Sequence, residues 1–124
     1  MNTFNQQIPI VMIQKQKENR FRLLNALYGF CQGSTRKWVN LKELCAQQGI
    51  PFDSDAFEYL MAEKLIEPYG AAFTCYLSHN GLKAMEQAYE NPHQATVYFP
   101  AITNIEPLNG QWQNKISKLQ IFSQ

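Results

Sequence analysis

The 124-residue chain has no apolar run able to cross a membrane: residues 8–13, the longest such stretch near the N-terminus, number about six and include Pro9, against the ~20 that a spanning helix needs. The same stretch is too short for the apolar segment of a signal peptide, so a cytoplasmic protein is expected. Cysteine is scarce and odd in number. Cys31, Cys45 and Cys75 lie 14 and 30 residues apart with no C-x-x-C pair, which excludes a disulfide framework or a zinc ribbon. Each falls on an apolar face, so buried free thiols are expected. His79 and His93 are too isolated to complete a metal site with them, and neither a metal nor a cofactor is expected. The six glycines are widely spaced, leaving no loop to cradle a phosphate. No local nucleophile–base pair or carboxylate pair stands out. Asp53 and Asp55 read as helix-start carboxylates held by the helix dipole, and the chain reads as non-enzymatic.

Apolar and aromatic residues are ample: 45% and 13% of the chain, enough for one domain with a modest core. Net charge is only +1, but it is unevenly spread. Through residue 52, Lys15, Lys17, Arg20, Arg22, Arg36, Lys37 and Lys42 face only Glu18 and Glu43, a balance of +5. From Asp53 onward four lysines face eight acidic residues, a balance of −4. Such asymmetry separates a candidate anion-binding half from an acidic half.

Three segments follow from periodicity and turn chemistry. Residues 1–14 read as an N-terminal arm, with the β-branched stretch 8–13 a strand or extended segment. Residues 15–90 form the domain. Its first helix spans about 16–31, where Phe21, Leu24, Leu27, Tyr28 and Cys31 make one stripe, and Gly33 ends it. Val39 is a candidate short strand. Asn40 caps a helix that Gly49 and Pro51 stop. Asp53 or Ser54 caps the next; with Asp53 as cap, Phe52 and Phe57 occupy the two positions of a hydrophobic staple. Ala56, Phe57, Leu60, Met61 and Lys64 share one face, with Asp55, Glu58, Tyr59 and Ala62 opposite. Residues 65–67 and 73–77 flank the turn cluster Pro68-Tyr69-Gly70 and read as a hairpin. Ser78 then caps a last helix with Leu82, Met85 and Tyr89 inward.

Residues 91–124 are a C-terminal extension. Residues 95–99 are strand-like, and Asn109-Gly110 is a tight-hairpin dipeptide. Two readings of the tail stay open: Trp112, Ile116 and Leu119 have helical spacing, while Leu119 and Ile121 alternate as in a strand; strand pairing around Asn109-Gly110 is the one adopted. Trp112, Ile116, Leu119 and Ile121 need cover, either from their own domain or from a second copy through paired terminal segments.

The run Leu65-Ile66-Glu67, a hairpin, then Tyr76-Leu77-Ser78-His79-Asn80-Gly81-Leu82 resembles the winged-helix superfamily of small bacterial regulators, over residues 19–90. The likeness implies an α+β, mainly helical fold: a winged helix-turn-helix of three to four helices with a small β-hairpin wing, here with an N-terminal arm and a β-like tail. It also implies contact with double-stranded DNA, the second helix of the turn pair entering the major groove and Lys and Arg gripping phosphates. That helix carries Asp53, Asp55, Glu58 and Glu63 against Lys64, and the wing, residues 67–72, has no Lys or Arg. Duplex contact is therefore expected from Arg36, Lys37 and Lys42, with Lys15, Lys17, Arg20 and Arg22; a solvated helical face is the commoner fate of such charges. The reading adopted is a regulator-like DNA-binding module. Its alternative is a protein-interaction or oligomerisation module that uses Asp55, Glu58, Tyr59 and the apolar tail toward an unknown partner or in a homodimer.

Overall fold

The computed structural model describes residues 4–106, with side chains from residue 9 onward. Among the described residues, four helices and a three-stranded antiparallel sheet follow the order α1 (Phe4–Cys31), β1 (Trp38–Asn40), α2 (Leu41–Gln48), α3 (Ser54–Ala62), β2 (Ile66–Pro68), β3 (Thr74–Leu77) and α4 (His79–Glu90), then a 3-10 turn, Ile102–Asn104. The architecture is α+β and mainly helical.

Side-chain caps set the helix starts. Asn40 Oδ1 accepts from Glu43 N at 3.0 Å to open α2, and Asp53 Oδ1 accepts from Asp55 N and Ala56 N at 3.0 and 3.3 Å to open α3. Such caps satisfy donors that the first turn leaves orphaned. The Phe52 and Phe57 rings meet at 5.8 Å as the staple requires. Gly49, at φ 71°, ends α2 in a Schellman turn: Ile50 N donates to Cys45 O at 2.9 Å, and Ile50 is turned into the core.

The sheet order is β1-β3-β2. Val39 is in register with Cys75, and Ile66 with Leu77; on the other face Trp38 and Glu67 both flank Tyr76. Period-two alternation therefore turns Val39, Cys75, Leu77 and Ile66 toward the helices and Trp38, Tyr76 and Glu67 outward. The second half of α1 is the spine of the core: Phe21, Leu23, Leu24 and Leu27 are fully buried. Each such side chain contributes about 1.5–3 kcal/mol by leaving water.

Two expectations are corrected. Residues 4–14 are not an extended arm, because they continue α1. Once the stripe beyond residue 16 has nucleated the helix, each upstream residue adds a bond without a new nucleation cost, and α1 runs on through Pro9. Residues 95–99 are not a strand either. Thr96 Oγ1 accepts from Tyr98 N and Phe99 N, and Thr96 N donates to Phe99 O at 2.8 Å, so the chain turns there. This drives Phe99 edge-on against Phe21 at 5.3 Å, with Ile102 and Ile105 buried behind it. Residues up to 106 thus pack on their own domain. The Asn109-Gly110 turn and Trp112, Ile116, Leu119 and Ile121 lie outside the described residues.

Candidate functional site

The seven cationic residues expected to meet phosphate come from three stretches: Lys15, Lys17, Arg20 and Arg22 from α1, Arg36 and Lys37 from the loop before β1, and Lys42 from α2. Arg20 lies over the Tyr59 ring, its guanidinium carbon 3.7 Å from the centroid. Arg22 Nη2 donates to Glu106 O at 3.0 Å, Nη1 to Asn19 Oδ1 at 3.4 Å, and Glu18 is 3.7 Å away. Asn19 in turn donates to Asp53 Oδ2 at 3.1 Å, so Arg22 ties α1 to the start of α3 and to the end of the described chain. Arg20 and Arg22 thus also have packing and tethering contacts within the domain. Lys15 is exposed and Lys17 half-buried, about 24 and about 21 Å of helix rise before Cys31.

Arg36 and Lys37 are exposed in the loop before β1, where Arg36 N bonds Ser34 Oγ at 3.1 Å. Lys42, exposed on α2, brings its Nζ to 5.3 Å from the Phe73 ring centroid. Phe73 itself holds φ 64°, accepts from Leu41 N at 2.9 Å, and packs edge-on against Phe52 and Phe57 at 5.0 and 5.4 Å. That left-handed conformation, unfavourable for a bulky residue, is held in place by contacts on three sides.

On α3, Asp55 and Glu58 are exposed. Glu58 borders a cleft of about 670 Å³ between α3 and the β2–β3 hairpin, with Phe57, Met61 and Phe73 on its walls. The cleft is apolar with an acidic rim. Tyr59 does not point outward as expected: it is half-buried against the core beneath Arg20. Burial pushes its phenol pKa up, Glu63 adds to this, and Arg20 opposes it.

What the sequence reading missed is an aromatic outer face on the sheet. Trp38 and Tyr69 are 52% and 50% exposed, and their rings meet at 4.8 Å with a 50° tilt. They flank the central strand, whose Tyr76 faces the same side. Together with Thr35 and Arg36 these rings line a cleft of about 390 Å³. A second cleft of about 490 Å³ continues from Arg36 and Tyr76 past Lys64, Glu67 and His79. The available signal was the alternation in Thr74-Cys75-Tyr76-Leu77, which places Tyr76 opposite the buried Cys75 and Leu77.

All three cysteines are buried. Burial raises each thiol pKa, that of Cys45 to about 11 and that of Cys75 to about 12, the latter with a contribution from Cys45. Among the described residues, no group of three or more His, Cys, Asp or Glu is placed to hold a metal, and no helix is long and apolar enough to cross a membrane. Compared with known proteins, the chain matches no family model, no curated protein and no solved structure.

Proposed function

We propose that this chain is a non-enzymatic winged-helix protein of the cytoplasm, a transcription-regulator-like module that contacts DNA through Arg36, Lys37 and Lys42 rather than through α3. The winged-helix reading is supported by the order of elements, by the α2–α3 turn pair, and by a β1 strand completing the sheet beside the β2–β3 hairpin. The observation that carries the choice of surface is electrostatic: Arg36 and Lys37 are exposed together, whereas α3 offers Asp55 and Glu58, which a polyanion repels. The test is fluorescence anisotropy of a random-sequence duplex titrated with the protein from about 50 to 200 mM salt. Micromolar binding that weakens steeply with salt is expected, and Arg36→Glu with Lys37→Glu should abolish it. Flat traces throughout the salt series would contradict the reading.

A second reading, an oligomerisation or protein-interaction module, is favoured by the first half of α1. Ile10, Val11, Met12 and Ile13 are 52–70% exposed there, and a helix apolar on all sides is normally covered. A second copy of the chain would supply that cover. Sedimentation equilibrium distinguishes the outcomes: this reading expects a dimer that Ile10→Asp with Val11→Asp dissociates. A monomer at every concentration would contradict it.

A further inference from the structure

We infer that the outer face of the sheet is a stacking platform for unpaired nucleobases, so that the chain binds single-stranded nucleic acid through Trp38, Tyr69 and Tyr76 with Arg36 and Lys37 beside them. The inference rests on the proposed nucleic-acid contact and specifies the kind of strand it takes. Its basis is a coincidence of three features on one face. Two large aromatic side chains leave about half of their surface in water. A third ring lies on the central strand between them. A guanidinium borders both clefts that run along this face.

An aromatic contact across the sheet contributes to strand pairing. That structural role explains why the rings touch. It gives no reason for both to remain half in water, or for a guanidinium to stand at the same edge. Unpaired bases supply what each feature lacks. A base has an apolar π-face for Trp38 or Tyr69, and its phosphate is an anion for Arg36 and Lys37; stacking of this kind is tolerant of sequence and adds to the phosphate term. Charge along the face is favourable in sum: Arg36 and Lys64 outweigh Glu67, the acidic residue beside Tyr76, and His79 borders the far cleft.

A duplex cannot use the rings in this way, because its bases are already stacked on one another. Its phosphates still meet Arg36 and Lys37. The two kinds of ligand therefore share the cations and differ in the aromatics, and this difference makes the inference separable from the reading on which it rests.

The experiment compares a labelled twelve-residue oligothymidylate with a random duplex, each titrated by anisotropy with the full chain, with Trp38→Ala, with Trp38→Phe and with Arg36→Ala. The expected result is that Trp38→Ala weakens oligothymidylate binding by about tenfold, within the range for loss of one stacked base, and changes duplex binding by less than about twofold. Trp38→Phe should recover most of the lost affinity, and Arg36→Ala should weaken both ligands. Duplex binding with no dependence of the oligothymidylate on Trp38 would overturn the platform and leave the DNA reading standing. Absence of binding to both ligands would overturn the two together. Because Trp38 is half exposed, circular dichroism of the variants should match the wild type, and Tyr69→Ala repeats the test at the second ring.

Discussion

Gly81 presents its bare Cα to the carbonyl oxygen of Leu65, where a Cβ would stand 2.0 Å away. The start of α4 is held against the entry to β2 by this approach and by Ser78, whose Oγ accepts from Gly81 N at 2.9 Å and donates to Lys64 O at 2.6 Å. Gly81→Ala would gain about 1 kcal/mol of helix propensity. It would lose more by forcing backbone apart, and a net destabilisation of about 1–3 kcal/mol is expected. Urea unfolding measures it.

Lys64 ends α3 in the opposite sense. It holds φ 59°, in a Schellman turn where Leu65 N donates to Leu60 O at 2.9 Å and Lys64 N to Met61 O at 3.0 Å. A non-glycine residue costs about 1–2 kcal/mol in that region. Lys64→Gly should therefore raise stability by about 0.5–1 kcal/mol after the entropy of a freer unfolded chain is counted. An unchanged or lower urea midpoint would show that the lysine side chain contributes more than its backbone strain costs.

Phe57 is buried between Phe52 and Phe73, with both rings within 5.8 Å. Removing it deletes the staple of α3 and the support of the strained Phe73. Phe57→Ala should cost about 3–5 kcal/mol. A loss near zero would mean that the hairpin is not anchored through this aromatic group.

Alkaline pH should weaken the fold through its thiols. The Cys45 and Cys75 pKa values are raised from 9.0 to about 11 and about 12. Above pH 9 the unfolded chain then releases protons that the folded chain retains. Unfolding gains from this release, so stability contributed below pH 9 declines as pH rises through about 11 to 12. Urea midpoints should be insensitive to these groups below pH 9 and fall above it. Cys45→Ala with Cys75→Ala should flatten that decline. At pH 8 in native buffer, the three thiols should react with a disulfide reagent only after denaturant is added.

Local chemistry carried much of the architecture. Asn40, Asp53 and Ser78 each announce a helix start by a side-chain oxygen, and Gly49 announces an end, because caps act within four residues of the group they satisfy. Longer relationships were invisible. The stretch 8–13 has β-branched composition, yet a helix nucleated downstream absorbs it. The strand-like residues 95–99 turn because Thr96 captures two backbone donors and Phe99 finds Phe21. The contacts of Arg20 with Tyr59 and of Arg22 with the Glu106 carbonyl reach 39 and 84 positions along the chain and have no local signal. The aromatic face was missed for the same reason: Trp38, Tyr69 and Tyr76 come from three separate segments, and only the strand register brings them to one side.

Chemical-shift mapping addresses the surface itself. An 15N-labelled sample of the full chain, titrated with oligothymidylate and then with duplex, reports which amides feel each ligand. The expected footprint covers residues 35–38, 69 and 76, joined by residue 42 with the duplex, with the Trp38 indole N–H responding more strongly to the single strand, while α3 residues 54–62 stay unperturbed. A footprint centred on α3, or shifts confined to residues remote from Arg36 and Trp38, would contradict the assignment of nucleic-acid contact to the outer face of the sheet.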